Sequence, residues 1–592
     1  MVATFFIFVL MNHLRKIVVF LFVFQFAIVS AQSYLKIDTV SYQEFHQYEP
    51  LSLHALTFGS AGSVYRSLLF DTNSVLLNQS VFFNKKTENL PSFNVKVPVV
   101  DAKYITGASN EQHLSVFHTQ NINPRLNYAL LFTKKSYDGY YSNQLSNHNF
   151  FQSNISFSSK NKTYKGRLFY NYHRYFLSQN GGVQNDSAFI NDVFSSSNRL
   201  LLGVNLDNAF SKDILHHIGL TQSFLIANRT DSLSNKKSQQ LNVGINVSTQ
   251  SKTYFDSLQD QFYAYSYYDT LVTKDTLGKN MIEGKLAYHY AKDLDSLSKL
   301  LFTIGTNGQI YSHDNLELDT GFYNLSSNID FAYSKLNSNI SLHADYFFSG
   351  YRNRDYHLLM TGSRSVKKWN IDFKLDYLSS TPSFELQRYR GNHSFWNNSF
   401  EKQNVLTIQS ALAFKKWKLS GNYIDVKNPI YFDYLAAPVQ NIGFSQIIQT
   451  SIAKQINVKG FNFEAAVVHQ YQGGYLIYQL PKWVGLFDCS YSFNAFKSAL
   501  NLNVGIQGKL FSEFLLMDYR PDLSSFYVSN QSAQQQYINT DFYLNARIKT
   551  VNFFFLISHL NAGLTGYNYF TALHYPSPDR YFKLGLRWMF LN

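Results

Sequence analysis

Cysteine is almost missing from the chain: Cys489 stands alone among 592 residues, so neither an intrachain disulfide nor a thiolate metal cluster can form. A single thiol of this kind reads as a small apolar residue. Charged residues make up only 15% of the sequence, and no compact Lys/Arg block is found despite a formal net charge of +13, which argues against a nucleic-acid partner. Beyond residue 31 no run of 18 or more apolar residues occurs, and this excludes an α-helical membrane protein. The GxSxG, HExxH and P-loop patterns are missing too. His216-His217 is the one histidine doublet, and neighbours on a strand point to opposite faces, so the pair cannot grip one metal side by side. The chain reads as a non-enzyme with no catalytic, metal-binding or cofactor-binding residues and no cofactor.

What is present begins with Arg15 and Lys16, an apolar run from Ile17 to Ile28, and Val29-Ser30-Ala31 before Gln32. This is the pattern of a secretory leader over residues 1–31, cut between Ala31 and Gln32. Met11 makes a second start, and Met1 and Met11 remain open as the first residue of that leader. Without Arg15 and Lys16 the net charge falls by two, to +11. Aromatic residues reach 17%, with 43 Tyr and 53 Phe, yet the mean hydropathy is only -0.21. A barrel with an apolar outer face, aromatic girdles and a polar lumen has this composition, because averaging its two faces hides the hydrophobic one.

Period-two alternation supports the barrel directly. Phe582, Leu584, Leu586, Trp588 and Phe590 alternate with Lys583, Gly585 and Arg587, and the same texture recurs at Tyr164–Tyr172, Ile282–Tyr290, Trp369–Tyr377 and Ile538–Ile548. Counting back from the C-terminus, long and short connections alternate: 562–579 long, 549–550 short, 517–536 long, 495–498 short, 471–483 long, 454–457 short, 425–440 long, Lys415 short, 379–402 long. Short turns carry Lys367, Lys368, Lys415, Lys454, Lys497 and Lys549, whose stems reach the headgroup zone. The spacing predicts an all-β, antiparallel up-and-down transmembrane β-barrel over residues 93–592, with about 24 strands (22–26). Residues 32–92 break the rhythm and read as a periplasmic or lumenal strap or partial plug.

Several stretches resemble the Putative porin family of Bacteroidota outer membranes. They are Glu111-Gln112-His113, Phe117-His118-Thr119-Gln120-Asn121-Ile122-Asn123-Pro124, Tyr141-Ser142-Asn143-Gln144, Lys160-Asn161-Lys162-Thr163-Tyr164, Asn180-Gly181-Gly182 and Val204-Asn205-Leu206. The resemblance runs over about residues 32 to 230 and then rests on barrel texture. It implies an integral outer-membrane barrel of a Gram-negative bacterium and carries over no catalytic residue.

Function is expected on the lumen-facing positions, since substitutions there tune selectivity while the outer face answers to lipid. Lys165, Arg167, Lys374, Lys416, Lys418, Arg547, Lys583 and Arg587 fall on predicted inward faces, together with Glu283, Asp372, Asp376 and Asp541. They read either as a mixed-sign wall paired loosely across strands or as a weak preference for anionic solutes. Arg352, Arg354, Arg388 and Arg390 fall in or beside outer loops, where lipopolysaccharide phosphates are a suitable partner. Passive diffusion of small hydrophilic solutes is the first functional reading; a non-channel or plugged barrel acting in transport, secretion or assembly is the second. Outer-membrane lipid, lipopolysaccharide and, through the C-terminal strand, the barrel insertion machinery are the expected partners, with homo-oligomerisation left open.

Overall fold

A computed structural model describes residues 55–59, 63–70, 89–194, 198–230, 236–257, 262–315, 318–531 and 533–591; the leader expected at 1–31 and its cleavage point lie outside them. Twenty-two strands close into one antiparallel barrel. The first seven are β1 (Val99–Gly107), β2 (Glu111–Asn123), β3 (Leu126–Tyr137), β4 (Ser146–Ser158), β5 (Tyr164–Gln179), β6 (Ala209–Thr230) and β7 (Lys236–Asp256). Then follow β8 (Thr273–Asp293), β9 (Ser298–Asn315), β10 (Leu318–Lys335), β11 (Ser338–Gly350), β12 (Tyr356–Val366), β13 (Trp369–Ser380), β14 (Gln403–Phe414) and β15 (Trp417–Lys427). The last are β16 (Phe444–Val458), β17 (Phe461–Gly474), β18 (Trp483–Ala495), β19 (Leu500–Leu515), β20 (Gln534–Ile548), β21 (Val551–Ser558) and β22 (Tyr581–Leu591). Closure is made by β22, which pairs with β21 on one side and with β1 on the other, Val99 opposite Leu591 and Gly107 opposite Lys583.

The alternation of each strand becomes the two faces of the wall. On β22, Phe582, Leu584 and Trp588 are exposed outward while Lys583 is buried inside. On β13, Trp369, Ile371 and Phe373 are exposed, and Asp372, Lys374 and Asp376 take the opposite face. Gly585 is needed here: it stands opposite Phe554 on β21, and a Cβ would overlap the Phe554 ring lying across it.

Twenty-two sits at the low end of the expected range because β6 to β10 are long, between 18 and 22 residues each. A bilayer crossing needs about 9–11 residues, so counting by average spacing divides these strands too finely. The first barrel strand begins at Val99.

Long connections cluster at one end of the barrel, at 138–145, 180–208, 257–272, 381–402, 428–443, 475–482, 516–533 and 559–580. The other end has short turns such as 336–337, 367–368, 415–416, 496–499 and 549–550. The expected alternation therefore holds from residue 381 onward, but at the long-loop end it fails at 108–110, between Asn315 and Leu318, and at 351–355. The turn expected at 454–457 lies at 459–460, where Lys459 (φ 48°) and Gly460 (φ 87°) both adopt the left-handed backbone of a tight hairpin. Lys454 instead stays in β16, its Nζ 4.2 Å from the centroid of the Trp417 ring.

Candidate functional site

The lumen wall is built from the inward positions of every strand, and the eight expected cations divide into kinds. At the β22 seam, Lys583 Nζ is 2.9 Å from Glu111 and both are nearly buried, while Arg587 makes a two-pronged contact with Asp101 at 2.6 to 3.1 Å. Lys374 Nζ is 2.9 Å from Asp376. Arg167 donates to the backbone oxygen of Leu90, in the chain leading to β1. Arg547 and Lys416 lie at the short-turn end, where Arg547 donates to Lys549 O and Lys416, in the turn itself, donates to Asn457 Oδ1. Lys165 and Lys418 are exposed and form no ion pair among the described residues. Lys418 and Lys374 line a recess of about 570 Å³ together with Asp372, Gln409 and Asn422. Of the inward acids, Glu283 accepts from Asn246, Asn307 and Gln309, and Asp541 accepts from Gln507 and Ser558.

At the long-loop end the connections turn over the bore and pack on one another. One apolar core joins Tyr141, Phe189, Leu202, Phe570 and Leu573 of three loops to Phe511 and Tyr537 on the wall, and Leu68 is fully buried within it. Arg199 clamps two of these loops. It pairs with Asp192 at 3.0 Å in its own loop and with Asp579 at 2.8 Å in the last, and its guanidinium lies over the Phe189 and Tyr567 rings at 4.6 and 4.7 Å. A second bond between the same loops runs from His574 Nδ1 to Asp186 at 3.0 Å. The hydrogen bond to Asp186 holds the His574 imidazole above its ordinary pKa, whereas burial pushes His559 down. Across the mouth, Leu386, Tyr389 and Trp396 pack with Ile430, Phe432 and Leu523 from two further loops.

Residues 55–59 and 63–70 lie among these loops, packed against the mouth and the upper wall. Phe58 stacks on Tyr575 at 4.1 Å and meets Tyr519 edge-on at 5.1 Å. Arg66 is buried and donates to the carbonyls of Tyr478 and Gln479. Gln449 and Gln470, cross-strand partners on β16 and β17, serve the backbone of this stretch: Gln470 accepts from Phe70 N and donates to Leu68 O, and Gln449 donates to Phe70 O. Lower down, Asn171 donates to Asn89 and Asn154 to Pro91. Neither the glutamine pair nor Arg199 is marked by any motif. Inward glutamines opposite each other are the one signal the sequence offers.

Arg352 is held by Asp355 at 2.9 Å and lies over the Phe347 ring, so its charge is engaged within its own loop, and Arg388 and Arg390 belong to a short hairpin, Arg388–Arg390 with Phe395–Asn397.

In fold the barrel is similar to several solved structures. These include the FrpB iron transporter from Neisseria meningitidis (F3-3 variant), at 10% identity over 84% of this chain and 82% of that one with a TM-score of 0.57. The siderophore receptor PirA from Acinetobacter baumannii matches at 9% identity over 84% and 82%, TM-score 0.58. The copper transporter OprC matches at 9% identity over 86% and 81%, TM-score 0.61. No curated protein matches the chain. The family described as Putative porin, by contrast, matches residues 24–592, far beyond the 32–230 of the local motifs, and the chain belongs to that family.

Proposed function

We infer that the chain is an outer-membrane transport barrel for small hydrophilic solutes, and that its long-loop end is an outward mouth held shut by the loops together with residues 55–59 and 63–70. The observation that carries this reading is the mouth core: Leu68, fully buried, packs with residues of three loops and of the wall across the bore. A standing-open diffusion pore needs a continuous water path, and an apolar core over the mouth favours the plugged form of transport instead. The similar solved barrels named above are an iron transporter, a siderophore receptor and a copper transporter, which supports transport over docking or assembly. In this reading the short turns face the periplasm, β22 is the strand offered to the insertion machinery, and exposed Arg354 and Arg388 on the loops meet lipopolysaccharide.

The test is single-channel conductance of the refolded full-length protein in a planar bilayer beside a variant lacking residues 55–70. Silence in the full chain with steady conductance in the variant is the expected result. Steady conductance in both would restore the open diffusion porin, and silence in both would point to secretion or assembly.

A further inference from the structure

Four adjacent strands gather titratable side chains on one patch of inner wall, just below the short connection 351–355. Asp330 comes from β10, His343 and Asp345 from β11, His357 from β12 and Asp376 from β13, while their neighbours Phe331, Leu342, Leu358 and Phe373 are exposed on the outer face. His343 Nδ1 lies 2.6 Å from Asp330 Oδ1, and its Nε2 lies 2.8 Å from Asp345 Oδ2. His357 Nε2 lies 2.9 Å from Asp376 Oδ1, and the other oxygen of Asp376 is 2.9 Å from Lys374 Nζ. One donor atom each from His343, Asp345 and His357 falls within 4.8 Å of the other two. Every one of the five side chains is at least 20% exposed, so an ion in the lumen can reach them.

We propose that His343, Asp345 and His357 form a lumenal binding site for a divalent transition-metal ion, with Asp330 and Asp376 orienting the two imidazoles. The charge balance fits a dication: three carboxylates against the single ammonium of Lys374 leave two negative charges uncompensated when both imidazoles are neutral. The hydrogen-bond pattern fits as well. A ligating histidine ordinarily gives its second N–H to a carboxylate, and Asp330 takes that role for His343 as Asp376 does for His357. This leaves His343 Nε2 and His357 Nδ1 to face the metal beside the Asp345 carboxylate. Metal bonds of about 2.0–2.2 Å require the three donors to draw somewhat closer, which rotation of exposed side chains supplies. Two nitrogens and one oxygen favour zinc, copper or nickel over calcium or magnesium, which take all-oxygen sets. Remaining coordination positions open to lumenal water make the ion exchangeable. The competing arrangement is a protonated His343 donating to both Asp330 and Asp345 with no metal at all.

The site rests on the wall alone and stands whether or not the mouth opens. Zinc titration of the refolded full-length barrel by calorimetry tests it, with calcium as competitor and folding checked by heat-modifiable migration. One zinc per chain is expected, not displaced by calcium. His343→Asn and His357→Asn should each weaken it at least about tenfold, and Asp376→Asn by about tenfold. His216→Asn, on the outer face beside Tyr170, should leave it unchanged. Cobalt added to the unaltered protein gives a second readout that needs no variant: visible ligand-field bands from a nitrogen and oxygen set. Zinc bound equally well by the His343→Asn/His357→Asn double variant, or no zinc and no cobalt bands in the parent, would overturn the assignment.

Discussion

Arg587 shows how a charge on the inner wall differs from one in water. Its guanidinium is fixed to Asp101 by three contacts across the β22–β1 seam, and both side chains are mostly buried. Arg587→Ala strands that carboxylate, so the expected loss is about 3 kcal/mol, the lower end for breaking a buried pair because lumenal water screens part of it. Asp101→Asn added to Arg587→Ala should recover part of the loss, read from urea unfolding in lipid vesicles. On the opposite face of the same strand, Leu584→Arg should cost roughly 2–4 kcal/mol if it lies near the bilayer midplane, and no partner substitution inside the lumen should rescue it. His574 adds a pH dependence with a defined sign. Its pKa is raised in the folded state by Asp186, so its contribution is fully present below the unfolded imidazole's pKa and is lost as pH rises through the folded one. Protease cutting of loop 180–208 should accordingly increase as pH rises above about 6.5, and His574→Gln should flatten that rise.

At the scale of elements, the strands announce themselves and the loops do not. The alternation at Phe582 to Phe590 is local, because a wall between lipid and water imposes period two on whatever sequence builds it; the inward and outward faces of β13, β20 and β22 were legible for that reason. Strand length was less legible, since β6 to β10 run beyond the bilayer and no lipid boundary marks their ends. The Lys459–Gly460 turn was hidden behind Lys454, which looks like a turn lysine but lies in a strand over Trp417. The mouth was not legible at all: Leu68 shares a core with Phe570 and Arg199 meets Asp579 across most of the chain length, and only tertiary structure brings them together. The glutamine pair gives this element its own test. Gln470 serves the backbone of Leu68 and Phe70 and also accepts from Gln449, so Gln470→Ala should speed amide exchange at Phe70 about tenfold, or about 1.4 kcal/mol of local stability, with the barrel strands unaffected.

For the whole molecule, the formal charge of +13 says little about what an ion in the bore would meet, because much of it is already spent locally. Lys583, Arg587 and Lys374 each face a carboxylate at hydrogen-bond distance, so their fields largely cancel a short way into the lumen. Arg167, Arg547 and Lys416 meet only neutral oxygens, at the strap or the short-turn end, and Lys165 and Lys418 are exposed and without an ion pair among the described residues, Lys418 bordering the recess in the wall. Ion preference should follow these two residues and not the inward cations as a set. In the variant lacking residues 55–70, under a salt gradient, the reversal potential should indicate a modest anion preference. Lys165→Glu with Lys418→Glu should carry it across zero toward cations, whereas the charge-neutral change Lys583→Gln with Glu111→Gln should leave it in place while weakening the seam. A comparable shift from that double change would mean that the Lys583–Glu111 pair opens in the conducting state, and the wall would then act as one mixed field instead of a paired background with a few uncompensated cations.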